Sequence, residues 1–164
     1  MAAVVGGIGI WALNRGTDDV PALRQNGAMS VLDPERVRAT LGQKLGERFL
    51  KYAHQPGGGD EAESLIRRVD GYVAEVRTLA SSRAGGSRID VRLAEAVATA
   101  CKRLLARIER SPPDGQAAIV GAVRYFLDTN DVDRDDGGRG FADDAEVVNH
   151  VQSFVAPDLP RIPV

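Results

Sequence analysis

Residues 60–79 read Asp60-Glu-Ala-Glu-Ser-Leu-Ile-Arg-Arg-Val-Asp-Gly-Tyr-Val-Ala-Glu-Val-Arg-Thr-Leu79. Their apolar members, Leu65, Ile66, Val69, Tyr72, Val73, Val76 and Leu79, recur three and four positions apart. That period lays them along one stripe of a helix, whereas a half-buried strand would alternate every second residue. Asp60 can open this helix, and Glu61 and Glu63 complement the positive end of its dipole.

The same spacing extends in both directions. Upstream, Asp33 suits an N-cap, Pro34 suits the first turn, and Val37, Leu41, Leu45 and Phe49 form one stripe through to about His54. Gln55-Pro56-Gly57-Gly58-Gly59 ends it. Downstream, the connection Ser81–Ser87 leads into a helix from about Asp90 to Glu109 that buries Val91, Leu93, Val97, Cys101, Leu104, Leu105 and Ile108. Ser111-Pro112-Pro113-Asp114 supplies a cap, a proline at the first position and an acid, announcing a fourth helix through Ile119, Val120, Val123, Phe126 and Leu127. A fifth carries Val147, Val148, Val151, Phe154 and Val155, with Asp143 or Asp144 as its cap, and stops before Pro157 and Pro160. No alternating pattern competes with helix. The expected fold is all-α, a small bundle of about five helices, with a C-terminal helical hairpin around an Asp-rich turn.

The 164 residues, 43% of them apolar, suffice for one domain with its own core. The expected organisation is an apolar tip and polar lead-in at 1–32, a helical domain at 33–156 and a proline-containing tail at 157–164. Met1–Leu13 is uncharged but too short to span a bilayer, and no basic residues precede it as in a secretion signal. It would allow peripheral membrane contact. Gly6-Gly7-Ile8-Gly9 lacks the glycine spacing and the strand–helix–strand setting of a dinucleotide-binding turn. The single cysteine, Cys101, forms no intramolecular disulfide and lies on an apolar stripe, which reads as a buried thiol in a cytoplasmic protein.

Twenty-one basic against 23 acidic residues argue against a nucleic-acid-coating protein. The balance is uneven along the chain. Residues 1–110 hold 17 basic and 13 acidic side chains, a net of +4, while residues 111–164 hold 4 and 10, a net of −6. Asp128, Asp131, Asp133, Asp135, Asp136, Asp143 and Asp144 crowd into one stretch, with Glu146 just beyond, and their mutual repulsion has to be offset. Helix capping by Asp143 or Asp144 is one offset. A divalent cation is another: Asp131, Asp133 and Asp135 have the one–three–five spacing of a calcium loop, with Asp143 as a further ligand. Against that, Asp136 stands where the turn glycine belongs and Ala142 where the twelfth-position acid belongs. Asp143, Glu146 and His150 could share a helix face and hold a transition metal; an exposed helical acid–histidine pairing is the simpler account. Arg103, Arg107 and Arg110 read as a solvated face. His54 reads as serving a helix end. No nucleophile elbow or triad setting is present, so no catalytic residue and no cofactor is expected beyond such a cation.

Tyr125-Phe126-Leu127-Asp128, the Asp-rich stretch containing Asp131 and Asp135, and Gly140-Phe141-Ala142-Asp143-Asp144 together resemble the signature of the YkvA-like bacterial helical domain family, over roughly residues 115–155. The chain departs from that pattern at Thr129 and Arg134, where prolines are usual, at Asp133, where an aliphatic is common, and in the Gly137-Gly138-Arg139 turn, which lacks its Ile-Pro. The resemblance implies a hairpin whose acids cap helices and fix the turn. It implies no established enzymatic activity, and some relatives are membrane-associated. The function expected is therefore that of a non-enzymatic interaction or regulatory module with an unknown protein partner. The alternatives are a divalent-cation-binding module and a metal-dependent hydrolase.

Overall fold

In a computed structural model, residues 30–55, 61–82, 89–128 and 140–164 are described, and among them every regular element is helical. The elements are α1 (Pro34–Leu41), α2 (Gln43–Ala53), α3 (Glu61–Ser82), α4 (Val91–Leu105), a 3₁₀ turn (Ile108–Arg110), α5 (Pro113–Phe126) and α6 (Ala142–Val155). The all-α bundle expected from the periodicity is the observed architecture.

The stretch read as one helix from Asp33 to His54 is two. Gly42 has φ +78°, the left-handed region that favours glycine, so α1 ends and α2 begins there. The chain turns and α2 folds back against α1. Gly46 permits the approach, because a Cβ on it would lie 3.1 Å from a Val37 methyl. The third expected helix also ends early, at Leu105, and continues as the 3₁₀ turn. Pro112, rather than Ser111, flanks the start of α5, where Pro113 takes the first helical position. Asp143 is likewise not the cap of the last helix: Phe141 occupies that position without a side-chain cap bond, and Asp143 and Asp144 lie in the first turn. Asp33 and Asp90 do cap, accepting from the Arg36 and Leu93 amides at 2.9 Å.

At the centre of the bundle lies α5, nine of whose residues are buried, packed on α2, α3, α4 and α6. Its backbone touches α2 at Gly121, where an added Cβ would come within 2.6 Å of Ala53 Cα. The C-terminal hairpin is antiparallel. Phe126 at the end of α5 meets Phe141 at the start of α6, and Gly115 at the start of α5 faces Val155 at the end of α6. Tyr72 of α3 joins the two phenylalanines at 5.1 and 6.5 Å.

Both flanks of this body are tied to it. Val31, in the stretch read as lead-in, is buried. In the tail, Ile162 is buried and Asn149 of α6 grips its backbone from both sides: Nδ2 donates to the Ile162 carbonyl at 2.9 Å, and the Ile162 amide donates to Oδ1 at 2.8 Å. Arg107 holds Asp158 with two parallel bonds of 2.6 Å. Among the described residues, no helix is long and apolar enough to cross a membrane.

Candidate functional site

The described residues of the aromatic–acid motif mostly build the core and its rim. Tyr125, Phe126 and Phe141 are buried. Asp128, just past the end of α5, accepts from Arg48 at 2.9 Å and from the Tyr52 hydroxyl, joining α5 to α2. The Arg48 guanidinium also lies 5.1 Å from the Tyr125 ring centre, and Tyr52 meets that ring edge-on. Burial, then the Asp128 carboxylate, pushes the Tyr52 phenol above its ordinary range. Gly140 is half-buried, Asp143 exposed and Asp144 buried. Asp131, Asp133 and Asp135, on which the calcium reading depends, lie outside the described residues.

A shared metal face on α6 is not what forms. Asp143 and Glu146 are exposed, whereas His150 is 2% exposed, with Nε2 3.3 Å from the Val31 carbonyl and its ring against Phe49 and Phe154. An Nε2–H donor satisfies that carbonyl and leaves Nδ1 as an acceptor with no partner among the described residues. Burial, with a smaller contribution from Arg36, holds His150 below the ordinary histidine range, against the opposing effect of the Val31 carbonyl. The expected exposed histidine is thus a core residue. No group of three metal-ligating side chains is present among the described residues. Cys101 is fully buried, and burial with the nearby Asp144 charge raises its thiol far above the reactive range. His54 ends α2 by donating Nδ1–H to the Leu50 carbonyl at 2.7 Å.

Among the described residues, a concave surface lies elsewhere. Arg92, Ala96, Thr99 and Arg103 recur along α4 at offsets of four, seven and eleven, so they share a face. The tail from Pro160 onward runs beside that face and walls it. Two adjoining hollows result, of about 750 and 390 Å³, both lined by Arg92, Ala96 and Pro163. The larger one is floored by Leu93 and Ala142 and rimmed by Asp90, Asp143 and Glu146, where α4 and α6 begin. The smaller one continues along α4 past Thr99 and Ala100 to Arg103, with Arg161 on the tail side. Glu95 also lines it, and Arg77 of α3 engages that carboxylate at 2.7 Å.

Sequence periodicity does not reveal this groove, because one of its walls is an irregular segment held by long-range bonds. Asn149 was the available signal, a side chain able to bond a backbone from both sides, but its partner thirteen residues away has no local signature. Of the three arginines read as a solvated face, Arg103 lines the groove and Arg107 fastens its wall through Asp158.

No family model, no curated protein and no solved structure matches the chain.

Proposed function

We propose that this chain is a non-enzymatic interaction module that receives a segment of a partner protein in the groove between α4 and the C-terminal tail. The observation that carries the reading is the groove itself. It is long, shallow and floored by small side chains, Ala96, Thr99 and Ala100, which let a partner backbone approach the helix. Its walls are preorganised: Asn149 and Arg107 hold the tail before any partner arrives, so less ordering cost falls on binding. The YkvA-like resemblance at residues 115–155 supports a helical module of this kind.

The test is selection of binders from a random peptide library on the full chain, followed by amide chemical-shift mapping. The expected result is that bound peptides move the amides of Ala96, Thr99, Ala100 and Ile162, and that Thr99→Trp, which fills the groove from an exposed position, abolishes binding. Peptides that bind equally well to Thr99→Trp, or a library that yields no groove binder, would overturn the reading.

A further inference from the structure

We infer that the partner segment is acidic, and that its carboxylates occupy the half of the groove between Arg92 and Arg103. The inference rests on the groove being the binding surface and adds the chemistry of what enters it. Three arginines line the smaller hollow: Arg92 and Arg103 from α4 and Arg161 from the tail. Among the described residues none of the three has an ion-pair partner, whereas the acid beside them, Glu95, is already engaged by Arg77. Most other described arginines are matched: Arg38 to Glu47, Arg48 to Asp128, Arg67 to Glu63, Arg107 to Asp158 and Arg124 to Glu61. Concentrating unmatched positive charge in a concave strip raises the local potential and attracts anions, and guanidinium groups grip carboxylates in a fixed fork geometry.

The geometry limits the ligand's length. Arg92 and Arg103 are eleven residues apart on α4, or about 16 Å along the axis at 1.5 Å per residue. An extended peptide covers that distance in about five residues at 3.3 Å each. Beyond Arg92 the rim turns acidic through Asp90, Asp143 and Glu146, which repel a longer run of carboxylates. The fitting ligand is a short extended segment with acids about five residues apart and no acid beyond the Arg92 end.

The probe is a fluorescein-labelled peptide, Glu-Pro-Ala-Ser-Ala-Glu, titrated onto the full chain by fluorescence anisotropy, with its Gln-Pro-Ala-Ser-Ala-Gln counterpart as control. We expect the acidic peptide to bind at least tenfold more tightly than the control. Raising the salt from low to near-molar concentration should erase that difference, and R103E/R161E, with both positions exposed, should lose it while keeping its melting temperature. Equal binding of the two peptides, with the Ala96 and Thr99 amides still shifting, would overturn the acidic preference and leave the groove reading standing. Failure of every peptide to shift those amides would overturn both. Concentration-dependent self-association that R103E/R161E abolishes would replace the separate partner with the Asp-rich stretch of a second copy, and so overturn the inference as stated.

Discussion

Gly121 shows how much one missing side chain decides. It is buried where α5 crosses α2, and the atoms within 2.6–2.8 Å of an added Cβ are the Ala53 backbone and methyl, which have no rotamer to change. Gly121→Ala should gain the usual helix propensity of about 1 kcal/mol and lose more by forcing the two helices apart, an overpacking cost typically of 1–3 kcal/mol. The net expectation is a lower urea midpoint with an unchanged m-value. His150 makes a different residue-scale prediction. Its folded form is neutral and its proton affinity is lowered, so the unfolded chain takes up a proton first, near the ordinary histidine value of about 6.5. Its contribution to stability is present in full above that pH and falls as the pH drops toward the lowered folded value. Urea midpoints measured between pH 7.5 and 4.5 should therefore fall less steeply in His150→Leu than in the parent chain. Parallel slopes would show that this imidazole does not carry the effect.

Two elements repay attention: the joint at Gly42 and the tail. Gly42 has open space around its α-carbon, so an added methyl meets nothing, yet the positive φ disfavours any other L-residue. Gly42→Ala should cost about 1–3 kcal/mol, and Gly42→Asn should cost as much, because ψ 163° lies outside the left-handed helical region that Asn tolerates. A steric account would instead predict no effect for either. Asn149→Ala removes both bonds to Ile162, each worth about 0.5–1.5 kcal/mol, and should raise hydrogen exchange at the Ile162 amide while leaving that of α5 unaltered. These elements also mark where the sequence stops being legible. The stripe Val37, Leu41, Leu45, Phe49 does face inward, but it runs unbroken through a position whose dihedral angle separates two helices, and a spacing rule carries no dihedral information. Residues 61–79 read correctly as a helix because nothing interrupts them, apart from Leu79, which is exposed near the end of α3, while Asp60, read as opening it, lies outside the described residues. His150 was misjudged since polarity alone suggests solvent, whereas the Val31 carbonyl that makes its burial tolerable lies 119 residues away. The groove depends on the same kind of distant pairing.

For the molecule as a whole, the arrangement around α5 argues for one cooperative unit. α5 touches four other helices, Arg124 reaches both Glu61 at the start of α3 and the Gln55 carbonyl at the end of α2, and Tyr72, Phe126 and Phe141 bring three helices to one cluster. Unfolding followed by helical circular dichroism and by tyrosine emission should give coincident transitions. Phe126→Ala should shift both together by about 3–5 kcal/mol; separated transitions would mean that the α1–α2 pair unfolds independently. The charge asymmetry of the sequence takes a spatial form here as well. Asp128 and Asp158 from the acidic third are consumed by Arg48 and Arg107 of the basic body, an exchange that uses up acids and leaves Arg92, Arg103 and Arg161 over.

The position of Val164 bears on how the chain can be tagged. Val164 lines the larger hollow and is 69% exposed, so it stands at the mouth of the groove rather than on a remote face. Residues appended after it would emerge beside the Asp90, Asp143 and Glu146 rim, and a polyhistidine tag there would be held near those acids at high effective concentration. Such a tag would act as a tethered competitor, weakening any ligand that reaches the larger hollow.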